Sequence, residues 1–170
     1  MYSQGKTLVE LLLALVILGI VSSAAVPSFQ QLLQQQRLRN ASNTLFSGIY
    51  SARQAAIHYA QPVSLRNHNG SWASGAEVFL DDNSNGVREA DERILLTIQS
   101  LKGVVAEGNR HVENYITYRA DGSAYLKSGA FQVGTLRLCA LGLAQERRLI
   151  LSIGGRLRRE QRETPTACGQ

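Results

Sequence analysis

The sequence predicts an α+β protein in which one long N-terminal helix packs on small antiparallel β-sheets that form a sandwich-like head. Three observations carry this reading. An apolar run from Leu8 to Val26 holds a single charged residue, Glu10. Beyond Pro27, apolar or small residues recur at Leu38, Ala41, Leu45, Ile49, Ala52, Ala56 and Tyr59. These spacings of three and four make one stripe on a helix, with Gln35, Asn40, Asn43 and Arg53 elsewhere around it. From Pro62 onward the pattern changes to period-two runs separated by Gly, Asn and Asp.

Each element follows from local chemistry. Residues 8–26 match the length a helix needs to cross a bilayer's hydrocarbon core at about 1.5 Å per residue. The amphipathic part covers residues 28–60 and ends before Pro62, which lacks the N–H a helix interior requires. Either the helix is continuous from residue 6 to residue 60, or two helices are hinged at Pro27. Strands are expected at Val63–Arg66, Ala76–Leu80, Arg93–Gln99, Tyr115–Arg119, Ala124–Leu126, Thr135–Ala140 and Arg148–Ile153. A turn is expected at Asn67–Gly70, and Asp121-Gly122 supplies the positive φ of a hairpin. Residues 61–170 are thus a single β-rich head behind the helix.

Bulk composition agrees. The chain has 170 residues, 44% hydrophobic and 18% charged, with a formal net charge of +5. Seven arginines (137, 147, 148, 156, 158, 159, 162) face three glutamates (146, 160, 163) from residue 137 onward, so the C-terminal stretch carries most of the positive excess. Cys139 and Cys168 are the two cysteines. Behind a membrane anchor they read as one structural disulfide in an oxidising compartment, closing a C-terminal loop of about 30 residues. The alternative is two free thiols in a cytosolic domain. A literal count of positive charge, Lys6 against Arg37 and Arg39, would put the head in the cytoplasm. The disulfide outweighs so small a difference.

A carboxylate inside an apolar span costs about 2.5–3.5 kcal/mol on insertion scales and needs a compensating partner. For Glu10 the expected partner is a positively charged N-terminus on another subunit, created by cleavage after Gly5. Gly5, Thr7, Leu8, Glu10 and Leu11 together resemble the N-terminus of type IV pilins and pseudopilins. The resemblance implies that residues 1–5 are a leader cut between Gly5 and Lys6 by a prepilin peptidase, with methylation of the new terminus. It implies assembly through Glu10 with other pilin subunits, and a single-pass inner-membrane protein with a periplasmic head until it enters a filament. Lys6 stands where the family usually has Phe, and the leader has no Lys or Arg. An ordinary signal anchor is the bland alternative. Trp72, Gly75–Leu80, the Asp/Asn/Gly loop to Glu92, the Tyr118-Arg119-Ala120-Asp121-Gly122 segment, Arg148–Leu151 and Gly155-Arg156-Leu157-Arg158 extend the resemblance to the GspH/FimT group of minor pilins and pseudopilins, nearest the FimT type.

Two constellations could bind ligands. Asp81, Asn83, Asn85, the Val87 carbonyl and Glu92 have the spacing of a calcium loop, although strands and not helices flank them. The alternative is a polar turn, and no cofactor is otherwise expected. The second constellation is basic. Arg147 and Arg148 precede a strand, and Gly154-Gly155 frees the backbone before Arg156, Arg158, Arg159 and Arg162, read as a flexible segment held as a loop by the disulfide. Arginines so placed can follow a polyanion's phosphates without reading sequence. The Gly-Arg-x-Arg resemblance implies double-stranded DNA bound for uptake in natural transformation, with Arg156 and Arg158 as principal contacts. The alternatives are a solvated basic edge and a salt-bridge surface for a neighbouring subunit, as in a subunit that primes pilus or type II secretion pseudopilus assembly. Trp72 and the tyrosines are not interleaved with the arginines, which argues against base stacking. No catalytic residue or small-molecule substrate is expected: His58, His68 and His111 have no partner motif, and no Ser or Cys sits in a nucleophile context.

Overall fold

The computed structural model describes residues 8–164 and Cys168. The expected cleavage point, Gly5 and Lys6, lies outside the described residues. Helix α1 spans Leu8–Tyr59 and carries through Pro27. The chain divides into two compact units, Met1–Leu33 and Gln34–Gln170. In the first, the large apolar side chains from Leu8 to Leu33 are exposed, and the helix has the length and composition to cross a membrane. The Ser23 hydroxyl donates to the Ile20 carbonyl (2.7 Å), so a polar group in the apolar stretch is satisfied within its own helix.

In the second unit the predicted stripe is the core. Leu38, Ala41, Leu45, Ile49, Ala52 and Ala56 are all buried. Tyr59 departs from the expectation and is 40% exposed. The helix stops there because Ala60 takes a left-handed conformation, φ 54°, two residues before Pro62. Small residues on the stripe let the helix and the strands come close: a Cβ at Gly48 would lie 2.3 Å from Ile98 Cδ1.

Two antiparallel sheets make up the head. The strands are β1 (Val63–His68), β2 (Ser71–Leu80), β3 (Ile94–Ile98), β4 (Val104–Gly108), β5 (Tyr115–Tyr118), β6 (Ala124–Tyr125), β7 (Gly134–Ala140), β8 (Gln145–Leu151) and β9 (Leu157–Glu163). One sheet has the order β3-β2-β1-β5-β6, the other β4-β7-β8-β9. Leu65, Val78 and Ile116 of the first and Leu136, Leu138 and Leu149 of the second share one buried cluster with the helix stripe. Trp72 is fully buried, its indole N–H donating to the Val112 carbonyl (2.9 Å).

Four elements differ from expectation. Strand β8 runs Gln145–Leu151 and not Arg148–Ile153, because its pairing with β7 extends back to Cys139↔Glu146; Arg147 and Arg148 therefore lie inside the strand and not before it. Strand β2 starts at Ser71, five residues before Ala76, because the turn is only Asn69-Gly70, with φ of 53° and 71°. That is the two-residue hairpin geometry Asn-Gly favours. Strand β4 was not expected; it lies at a sheet edge, pairing Val104 with Ala140 through Gly108 with Leu136. The arginine-rich segment is strand β9 and not a flexible loop, paired with β8 from Leu151↔Leu157 to Gln145↔Glu163.

Cys139 and Cys168 form a disulfide, Cα–Cα 5.7 Å, across a sequence separation of 29. It ties the chain beyond β9 back to β7. Replacing both cysteines by serine should cost about 3–4 kcal/mol of unfolding free energy, from lost closure of that loop. Denaturant titration of the full chain in non-ionic micelles checks this. A loss under about 1 kcal/mol would show that the crosslink does not constrain the unfolded chain.

Candidate functional site

The Gly-Arg-x-Arg segment sits on a turn pinned from beneath. Gly155 is buried with φ 71°, and a Cβ there would lie 2.1 Å from the Gly122 carbonyl oxygen and 3.0 Å from the Tyr118 ring. Only glycine meets both demands. From α1, Arg53 donates to the carbonyls of Gly122 (2.9 Å) and Gly154 (3.4 Å), holding the β5–β6 and β8–β9 turns together. The Ser152 N–H (2.9 Å) and hydroxyl (3.1 Å) both donate to the Arg156 carbonyl. Leu157 packs against the core. Gly155 and Leu157 therefore point inward, while Arg156 and Arg158 are exposed. Burial pushes the Tyr118 phenol well above its ordinary pKa, and the nearby Arg53 charge only partly opposes this.

Beyond the turn, the pleat divides the arginines between two faces. On the outer face Glu146, almost fully buried, accepts from Arg137 (Nη2, 2.9 Å) and from Arg148. Glu160 accepts from Arg162 (2.6 Å) and lies 3.8 Å from Arg158. Burial works to raise the Glu146 pKa, but hydrogen bonds and charge from Arg137 and Arg148 overcome it and hold it below the usual carboxylate range. Arg147 and Arg159 are on the opposite face, toward the helix. Arg159 donates to Asn43 Oδ1 (2.9 Å) and lies 4.0 Å over the Phe46 ring; Arg147 donates to Gln161 Oε1 (3.0 Å). The six expected arginines thus form no single surface. Arg156 and Arg158 lie together at one end of β9, Arg148 and Arg162 are paired with carboxylates, and Arg147 and Arg159 face the helix. The partners Glu146, Glu160, Asn43 and Phe46 were not foreseen. Strand alternation after Gly155 would have separated Arg158 from Arg159.

The Asp81–Glu92 loop is closed from within. Asp81 accepts from the N–H groups of Asn85 (3.0 Å) and Gly86 (2.9 Å) and from the Ser64 hydroxyl (2.5 Å). Glu92 accepts from the N–H groups of Asp82 (3.1 Å) and Glu89 (2.9 Å), and the Asn83 and Asn85 side chains also accept from backbone N–H groups within the loop. Among the described residues no group of three or more His, Cys, Asp or Glu side chains is arranged to hold a metal ion. The histidines are dispersed: His58 is in the last turn of α1, His68 ends β1 facing Glu77 (3.5 Å), and His111 follows β4. An open groove of about 580 Å³ beside β3, between Asn43 and Gly48 on one side and Leu96 to Leu101 on the other, has no ionisable side chain in its lining.

A membrane-length apolar helix that continues into the core of a two-sheet head defines a subunit of the type IV pilin class, a structural building block. Residues 41–155 match the family model of the type II transport protein GspH, and residues 1–26 match the prokaryotic N-terminal methylation motif. The chain belongs to the GspH family of minor pilins and pseudopilins. Its fold is similar to that of the type IV minor pilin FimU of Pseudomonas aeruginosa PAO1 in two crystal forms. One has 20% identity and a TM-score of 0.58, covering 74% of this chain and 90% of that one. The other has 21% identity and a TM-score of 0.56, covering 72% and 92%. No curated protein matches the sequence. Membership implies anchoring by the N-terminal helix and assembly with other pilins.

Two substitutions probe the platform. Gly155→Ala should lower the melting temperature by several degrees, about 2–4 kcal/mol, because it adds both a positive-φ penalty and a backbone clash. An unchanged melting temperature would show that the two turns are not in contact. Glu146→Gln should destabilise the head by about 1.5–3 kcal/mol at pH 7. A carboxylate whose folded pKa is depressed stabilises above its unfolded pKa, and that contribution fades as pH falls through the folded value. The gap between wild type and variant should therefore shrink below about pH 4.5. A gap independent of pH would remove the charge-based account.

Proposed function

We propose that this chain is a FimT-type minor pilin that binds double-stranded DNA non-specifically for uptake in natural transformation, while taking part in pilus biogenesis. The observation that carries the reading is the pinned β8–β9 turn, which presents Arg156 and Arg158 side by side and exposed. Arg158 keeps 74% of its side chain in solvent, and Arg156 has no carboxylate within 4 Å among the described residues. Guanidinium groups held this way suit phosphate oxygens, which offer a bidentate geometry without sequence information. Arg159, Arg162, Arg147 and Arg148 are secondary contacts.

In this reading the prepilin peptidase removes residues 1–5 by cutting between Gly5 and Lys6. The helix then holds the chain in the inner membrane, single-pass with a periplasmic head, until extraction into the filament. There Glu10 meets the terminal amine of a neighbouring subunit. A disulfide-closed head fits an oxidising compartment.

A second reading has its own support. Glu146 and Glu160 already pair with Arg137, Arg148 and Arg162, and charges on an edge strand protect it from unwanted pairing. A structural subunit that primes assembly of a pilus or of a type II secretion pseudopilus would need nothing more of these arginines.

Titration of the full chain in non-ionic micelles with double-stranded DNA at several salt concentrations separates the two. Affinity in the micromolar range that falls steeply with salt is expected. Arg156→Ala/Arg158→Ala should lose most of it, with the salt slope shallower by about two, near 0.9 per lost phosphate contact. Equal binding by a folded double variant, or no binding by wild type, would leave the structural reading in first place.

A further inference from the structure

The arginines on the helix-facing side of β9 are in a different position from the rest. Each of the outer-face arginines 137, 148, 158 and 162 has a carboxylate within 4 Å. Arg147 and Arg159 instead hold neutral amide oxygens, Gln161 Oε1 (3.0 Å) and Asn43 Oδ1 (2.9 Å). Arg159 is further fixed by the face of Phe46. Arg39 stands one turn before Asn43 on α1, on the same side of the helix as the amide that holds Arg159. Among the described residues, no carboxylate lies within ion-pairing distance of Arg39, Arg147 or Arg159. Burial, then the charges of Arg39 and Arg159, hold the Arg147 pKa below its ordinary value. Arg147 and Arg159 are thus oriented by uncharged groups that leave most of their N–H donors unused, since each guanidinium has five.

We propose that Arg39, Arg147 and Arg159 form an oxyanion-binding notch between α1 and the edge of β9, and that its ligand is a phosphodiester group of the DNA backbone. The ligand rests on the DNA reading above; the notch itself does not. Guanidinium forks receive phosphate oxygens in pairs. A bound phosphate would supply the negative charge that Glu146 and Glu160 supply on the other face. The edge position favours a thin, repeating polyanion. Strand β9 has no neighbour beyond it in its sheet, so a phosphodiester chain lying along it meets Arg158 on one face and Arg159 on the other.

The test uses the full chain in non-ionic micelles and two probes, inorganic pyrophosphate read by thermal shift and double-stranded DNA read by anisotropy. Arg39→Gln/Arg159→Gln alters two exposed side chains, and Lys102→Gln/Arg110→Gln removes the same charge elsewhere on the exposed surface. Melting without ligand controls for folding. Pyrophosphate should raise the wild-type and control melting temperatures but not that of Arg39→Gln/Arg159→Gln. This variant should also bind DNA about tenfold more weakly, with a salt slope reduced by about 1.8. The notch is overturned if pyrophosphate fails to shift the wild type, or shifts the variant equally. If DNA binding depends on Arg156 and Arg158 but not on Arg39 and Arg159, the DNA reading stands and the assigned ligand falls. If wild type binds no DNA while the pyrophosphate shift still requires Arg39 and Arg159, the DNA reading fails and the oxyanion notch stands.

Discussion

The head depends on covering one narrow helix stripe. Leu38, Leu45 and Ile49 are too apolar to leave in water, and the small residues between them, Ala41, Gly48, Ala52 and Ala56, set how near the strands can come. Fully burying a leucine or isoleucine is worth about 1.5–3 kcal/mol, and Leu38, Leu45 and Ile49 share a single buried cluster with residues of both sheets. Neither sheet bonds to the other along an edge; they share the helix, and β2 of one also lies against β4 of the other. Arg53 repeats this arrangement at the periphery, where one guanidinium on α1 joins a turn from each sheet through their carbonyls.

With the sheets seated this way, the pleat of β8 and β9 distributes charge. One face of β8 must present Leu149 and Leu151 to the core, so Glu146, Arg148 and Ile150 must point outward. A carboxylate as buried as Glu146 needs strong partners, and Arg137 and Arg148 provide them from the same face. That pairing leaves these arginines fewer donors for an external anion, which makes Arg148 a secondary contact at most. Where β8 turns into β9, the demands relax. Gly155 takes the close contact, Leu157 takes the apolar position, and Arg156 and Arg158 are left to solvent.

Much of this was legible in the sequence, for reasons that differ between elements. The helix stripe and the strands β1, β5 and β7 carry strong periodicity because their larger apolar residues alternate toward the shared core, as Val63 and Leu65, Ile116 and Tyr118, and Leu136 and Leu138 do. Tyr59 fits the stripe by spacing yet is exposed, because it is the last residue of the helix. Strand β9 carries no such signal: Leu157 is its one apolar residue, and the rest of Leu157–Glu163 is polar or charged. As an edge strand it is specified by its pairing with β8, a long-range fact. For the same reason the arginines could be counted but not sorted. Their separation into a carboxylate-paired face and a helix-facing group depends on register, which the hydrophobic pattern sets only where a face is buried.

Register also decides what kind of partner the basic region suits. A flexible arginine-rich loop would bind a polyanion at the cost of ordering several long side chains and the backbone that carries them. Here that order already exists, since β9 is paired along its length, Arg159 is stacked on Phe46, and the preceding turn is locked by Gly155 and Arg53. Pre-organised cations on an edge favour ligands that can run alongside the edge and approach both faces. The charge left without a carboxylate is spread over neighbouring elements: Arg156 on the turn, Arg159 on β9, Arg147 on β8 and Arg39 on α1. Several cations spread over adjoining elements are matched by an anion with repeated charges, and this is the physical basis for preferring the phosphodiester backbone over a single acidic side chain.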